Sequence, residues 1–154
     1  PTKNMDRMEW FVEKATEIGI TEITPLLCRY SERKVIKPER LNKILISAMK
    51  QSKKATLPIV NEMISFDKFI KSKQLSDNCF IAHCYEQDKK SLTELYVKGD
   101  EVTIVIGPEG DFSEDEVSLA ISNGFQPITL GNSRLRTETA GIVACHTIHL
   151  LNLL

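Results

Sequence analysis

Apolar positions Met8, Phe11, Val12, Ala15 and Ile18 recur at helical spacing and stop at Gly19, a residue suited to the position after a helix end. Ile23 to Leu27 reads as a short strand. Pro38 then opens a second helix, at a position where a missing N–H costs nothing. Its apolar stripe is Leu41, Ile44, Leu45, Ala48 and Met49. Pro58 to Ile64 reads as another strand, with a short helix around Phe66, Phe69 and Ile70. Cys79 to His83 is a compact apolar run and predicts a buried strand, and Leu92, Leu95 and Tyr96 mark a short helix ended by Gly99. Val102 to Ile106 is almost continuously β-branched, as expected of a strand covered on both faces. Ser113 and Glu116 have capping-box spacing, so a helix starts there and closes at Gly124. Pro127 to Leu130 predicts a last strand. Thr139 to Leu154 predicts a final helix with Ile142, Val143, His146, Leu150 and Leu153 inward.

Strands alternating with helices indicate an α/β domain with a mostly parallel sheet flanked by helices. Ligands of such sheets collect beyond the carboxyl ends of the strands. That rule singles out the loops after His83, after Ile106 and after Leu130. The 154 residues suit one domain, 1–154, and 42% apolar with 27% charged residues is a globular composition. No run of about 18 apolar residues suggests a membrane span. Cys28, Cys79, Cys84 and Cys145 include no C-x-x-C pair, so neither a zinc site nor a disulfide framework is expected. A reducing, cytoplasmic setting follows from that cysteine usage. The chain starts at Pro1 rather than Met, which suggests processing or truncation.

The net charge of −1 hides two opposed regions. Residues 29 to 54 carry nine Lys/Arg against Glu32 and Glu39, a balance of +7. Residues 86 to 116 carry ten acidic residues against Lys89, Lys90 and Lys98, a balance of −7. The basic region suits either a polyanion or plain solvation.

The loop after Ile106 reads Gly107-Pro108-Glu109-Gly110-Asp111, and its two carboxylates would repel a triphosphate. The loop after Leu130 gathers Ser133, Arg134, Arg136, Thr137, Glu138 and Thr139 just ahead of a helix, with Thr137 or Thr139 able to cap it. Alone, that loop could be a capped helix with a surface Arg–Glu pair. Together, Gly107-Pro-Glu-Gly110 and Leu130-Gly-x-x-x-Leu-Arg-Thr-Glu-Thr-Ala140 resemble the SPOUT class of knotted RNA methyltransferases. Within that class the chain most resembles the RsmE family, the 16S ribosomal RNA uridine N3-methyltransferases. Met8-Glu-Trp-Phe-Val-Glu-Lys-Ala-Thr-Glu-Ile-Gly19 and Gln51-Ser52 ahead of Leu57-Pro58 extend the match over essentially the whole chain. Two stretches depart from the family pattern: Asp111 stands where glycine is usual, and Asn132-Ser133-Arg134 replaces Pro-Arg-Ile.

The resemblance implies a SPOUT fold with a C-terminal trefoil knot, S-adenosylmethionine as methyl donor, and a homodimer packed through the knotted helices. It also implies a PUA-like RNA-binding barrel ahead of such a domain, and none is expected within residues 1–154. The implied substrate is 16S ribosomal RNA or the small ribosomal subunit. A catalytically silent RNA- or ribosome-binding module with the same pocket, or a nucleotide-binding protein without an RNA partner, are the other readings. The cradle implied for the donor is Ile81 and His83, then Ile106, Gly107, Pro108, Glu109 and Gly110. Leu130, Gly131, Asn132, Ser133, Leu135, Thr139 and Ala140 complete it. Gly107 and Gly110 would be close-approach positions. Arg136 suits stabilisation of a developing imide anion, and Glu138 suits the base or a group positioning Arg136; Glu109 is the other carboxylate candidate. Arg29, Arg33, Lys50 and Lys54 are the expected phosphate contacts. His146 and His149 lack a third ligand and are expected in core or dimer-interface packing, and Trp10 is expected to be a packing residue.

Overall fold

The computed structural model describes residues 1–72 and 76–154. Helix α1 spans Met5–Ile18, and the Asn4 side chain accepts from the Asp6 N–H at its start. It ends at Gly19, whose φ of 125° is open to glycine and whose N–H returns to the Ala15 carbonyl. Pro38 sits at the first turn of α2, Pro38–Gln51, which buries Leu41, Leu45 and Ala48. These two helices share one apolar cluster in which Met8, Val12, Leu41 and Leu45 are buried.

The two strands expected between 23 and 64 are each split. Pro25 separates β1, Glu22–Ile23, from β2, Leu26–Leu27. The partner segment divides into β3, Ile59–Val60, and β4, Ile64–Ser65. β1 pairs with β3 and β2 with β4, both parallel. Proline has no N–H for a ladder, so pairing lapses there, though the Pro25 carbonyl still accepts from the Ile64 N–H.

After helix α3, Phe66–Ile70, come β5, Asn78–Ala82, and β6, Lys90–Ser91, the latter not foreseen from its composition. Helix α4 is short, Leu92–Leu95, and stops well before Gly99. β7, Val102–Ile106, leads into α5, Glu114–Ser122, whose Ser113–Glu116 capping box is complete. β8, Gln126–Thr129, and α6, Thr137–Leu153, finish the chain.

β6, β8, β5 and β7 lie in that order in one all-parallel sheet. β5 is central, and Phe80 and Ile81 are almost fully buried. β7 is an edge strand of this sheet, and both of its faces are covered as expected, Val105 joining the cluster under α3 and α5 and its neighbours the cluster under α6. Only Val105 is buried, while Val102, Ile104 and Ile106 are half-buried against the side of α6. Ala82 pairs with both Ile106 and Ile128, so the carboxyl ends of β5, β7 and β8 finish level. That register brings the loops after all three strands to one end of the sheet.

α6 turns a different face inward from the one expected. Ala144 is buried, Ile148 and Leu151 pack on the sheet, and Gly141 faces the Phe11 ring, which a Cβ would approach to 2.6 Å. His146, Leu150 and Leu153 are exposed. The helix is apolar nearly all round, so periodicity cannot select its inner face. α1 and the sheet make that choice. Trp10 is likewise exposed rather than packed.

Candidate active site

The three loops at the level strand ends are stitched together by specific hydrogen bonds. Thr137 Oγ1 donates to the Gly107 carbonyl at 2.9 Å, joining the start of α6 to the end of β7. Thr137 therefore does not cap α6, whose N-cap position, Arg136, makes no side-chain capping bond. Asp111 supplies the second link. Its φ is +65°, a conformation aspartate tolerates better than most residues. One carboxylate oxygen accepts from the Cys84 N–H at 2.8 Å, the other from the Phe112 N–H at 2.8 Å. The Tyr85 hydroxyl also donates to the Phe112 carbonyl. The loop after β5 is thus fixed to the turn after β7.

These positions set a concrete expectation. Asp111→Ala loses both acceptors and keeps an unfavourable φ, so it should destabilise the fold by roughly 1–3 kcal/mol. Asp111→Asn keeps one acceptor oxygen and the tolerance of that φ, though its amide NH2 faces the second N–H, and should cost less than alanine. Chemical denaturation of the two variants decides the order.

The loops enclose a cleft of about 310 Å³. Ala82, Ile106, Gly107, Pro108, Leu135 and Ala140 give it an apolar, small-residue floor. Arg7, Arg134 and Arg136 add cations; Glu109 and Asp111 add carboxylates; Cys84 and Thr137 complete the wall. The volume is at the lower end of those that hold cofactor-sized molecules. Apolar walls beside two carboxylates suit a ligand that is apolar at one end and cationic nearby. Partial burial, then the Asp111 carboxylate, raise the Cys84 thiol above its ordinary value. Cys84 is therefore a poor thiolate nucleophile at neutral pH.

With this geometry in place, comparison with known proteins is direct. The RNA methyltransferase domain family matches residues 1–149. The chain belongs to that family. The ribosomal RNA small subunit methyltransferase E of Rickettsia conorii is 33% identical over 149 residues, covering 95% of this chain and 60% of that protein. The Bacillus subtilis protein of the same name is 31% identical over 157 residues, covering 93% and 60%. Among solved structures, a probable rRNA-methyltransferase from Porphyromonas gingivalis superposes with a TM-score of 0.94 at 46% identity. That match covers 99% of this chain and 65% of the other. A Neisseria gonorrhoeae ribosomal RNA small subunit methyltransferase E bound to S-adenosyl methionine superposes at 0.84 with 32% identity, covering 98% and 63%. The chain spans about three-fifths of the length of these curated relatives.

In this member of the RNA methyltransferase family, Ile106, Gly107, Pro108, Glu109, Leu135, Arg136 and Ala140, all named by the motif reading, line the cleft. Ile81 lies beneath it in the core, and its neighbour Ala82 faces the opening instead. His83 is buried, and its Nδ1 accepts from the Tyr85 N–H. Burial, then the nearby Lys89 ammonium, hold that imidazole below its usual range, so it is neutral at pH 7. Gly110 approaches Tyr30, 2.9 Å from where its Cβ would be. The nearest atom to a Cβ on Gly107 would be Asp111 Oδ1, at 3.0 Å. Both glycines thus serve approaches within the protein. Leu130 packs with the apolar cluster under α6, while Gly131, Asn132 and Ser133 are exposed and Thr139 is half-buried in the first turn.

Glu138 is buried, and its ion-pair partner is Arg7 of α1 rather than Arg136: Nε to Oε1 is 3.7 Å. Arg7, Ala82, Cys84, Asp111, Arg134 and Thr137 also line the cleft and were not among the donor-cradle residues the motif reading named. The loop rule pointed to the neighbourhood of most of them. Nothing in the pattern of residues 5 to 18 marked Arg7, more than 120 positions from its partner.

Proposed function

We propose that this chain carries the methyl-transfer site of an S-adenosylmethionine-dependent enzyme acting on N3 of a uridine in small-subunit ribosomal RNA. The observation that carries the reading is the stitched cleft, with its apolar floor, its acidic turn and Arg136 at its mouth. The S-adenosyl methionine named with the Neisseria relative suits that chemistry. The donor, when bound, supplies an electrophilic methyl group on a cationic sulfur.

The residues present fit such a donor. The backbone of residues 107–110 and the segment 130–135 can flank a flat adenosine, and the small Ala140 side chain leaves room between them. Glu109 and Asp111 favour the nearby positive sulfur. Transfer forms a bond from the uracil N3 to the methyl carbon and breaks the bond from that carbon to sulfur. The N3 proton passes to solvent or to the exposed Glu109 carboxylate, which leaves negative charge on the imide. Arg136 is exposed at the mouth, always charged, and can donate to a base carbonyl as that charge develops. Of the roles open to Glu138, its burial behind Arg7 supports positioning over proton abstraction. Glu109 is exposed, and its Oε1 accepts from the Lys3 N–H, so it remains the carboxylate nearest the outside.

The basic region supports an RNA face. Arg29 and Lys50 are exposed. The Arg33 guanidinium donates to the Thr2 and Lys3 carbonyls, and Lys54 Nζ donates to the Ile18 carbonyl at the end of α1. Arg29 and Lys50 are accordingly the stronger phosphate contacts. Replacing either with alanine should lower the salt slope of RNA affinity by about one. A slope unchanged in both variants would remove this face. The exposed Leu150, Leu153 and Leu154 support a homodimer through α6, and the deep knot belongs to the same reading.

Methylation is tested with the complete natural polypeptide containing this chain, labelled donor and small ribosomal subunits, followed by nucleoside mass spectrometry. N3-methyluridine is the expected product. Donor binding with no methyl transfer to subunits or to naked RNA would select the silent binding module.

A further inference from the structure

Three arginines line the cleft, but they are held differently. Arg134 and Arg136 are exposed at the rim, where a macromolecule would arrive. Arg7 comes from the opposite side, on α1, and its side chain is only 39% exposed. Its Nε lies 3.7 Å from Glu138 Oε1, and the Glu138 side chain is 10% exposed. The second oxygen, Oε2, is buried with no hydrogen-bond partner. Burying a carboxylate this deeply is costly unless a cation stands beside it, and Arg7 is that cation. Glu138 therefore fixes Arg7 through one nitrogen and leaves the other guanidinium donors to the cleft. A planar fork with free N–H groups is matched by a small carboxylate.

We infer that Arg7 binds the carboxylate at the amino-acid end of the methyl donor, with Glu138 as its positioning residue. The inference rests on the donor reading above and adds the group that recognises the donor's far end. It also divides the cations of the cleft between two ligands, with Arg7 serving the small donor and Arg134 and Arg136 serving the side open to RNA.

The test compares S-adenosylmethionine with decarboxylated S-adenosylmethionine, which keeps the sulfonium and the amine and lacks only the carboxylate. Calorimetric affinities are measured for the wild-type chain, Arg7→Met, Arg7→Lys and Glu138→Gln, each checked for folding by circular dichroism. The wild type should prefer the intact donor by roughly 10–100-fold, the range of a charged hydrogen-bonded pair. Arg7→Met should abolish that preference while binding the decarboxylated donor as before. Arg7→Lys should restore part of it, and Glu138→Gln should weaken it in the same selective way. A preference retained in Arg7→Met overturns the inference. So does an equal loss for both donors, which would mark Arg7 as merely structural, and so does a wild type that binds both donors alike. If the wild type binds neither donor, the donor reading itself fails.

Discussion

Arg136→Ala should lower methyl transfer by roughly 10²–10³-fold at saturating donor while leaving donor affinity nearly unchanged. The expectation follows from position. Arg136 lies at the N-cap position of α6, exposed, on the mouth of the cleft and not on its floor. On the proposed reaction, a group there would meet the acceptor base rather than the donor. It acts only as the imide gains charge, so its loss belongs in the rate of the chemical step. Arg136→Lys keeps the charge but not the planar fork, and should recover only part of the rate. Single-turnover kinetics separate these effects from RNA binding. A loss confined to donor affinity would move Arg136 to the donor subsite, and a wild-type rate would remove it from the reaction.

Phe112→Ala should have the largest effect on stability, roughly 3–5 kcal/mol. Phe112 is fully buried, and its ring lies 5.1 Å from that of Phe66 at a 48° tilt. It belongs to the cluster between the sheet and α3 and α5, so truncation opens a cavity at the centre of that layer. For a chain of this size the melting temperature should fall by roughly 6–20 °C. The same residue anchors the site. Its N–H is held by Asp111 and its carbonyl by Tyr85, so slack in the core passes directly to the turn that lines the cleft. Donor affinity should fall together with stability. A folded Phe112→Ala variant that binds the donor as tightly as wild type would uncouple the turn from the core beneath it.

What the sequence made legible follows the range of the interactions involved. The ends of α1, α2 and α5 depend on residues a few positions apart: Asn4 and Gly19, Pro38, and the Ser113–Glu116 box. Those signals are local and strong. The parallel sheet followed from alternation, and the motif loops fell where level strand ends place ligands. The split strands at Pro25 were readable in principle, because a proline inside a strand weakens its ladder. The inner face of α6 was not readable, since Ala144, Ile148 and Leu150 are all apolar and only the position of α1 and the sheet distinguishes them. The Arg7–Glu138 pair was invisible for the same reason: each residue suits a solvated helix face until folding brings α1 against α6. Asp111 was visible as a departure from the family motif. That its carboxylate fastens Cys84 to the turn required the register of β5 and β7.

Everything proposed for this chain requires the cleft between residues 107–111 and 134–140 to hold S-adenosylmethionine and not a nucleoside triphosphate. Isothermal titration of the chain with S-adenosylmethionine and, separately, with ATP tests that requirement most directly. Saturable binding of one S-adenosylmethionine per chain, with no heat of binding from ATP, is the predicted result; binding of ATP without S-adenosylmethionine would contradict it.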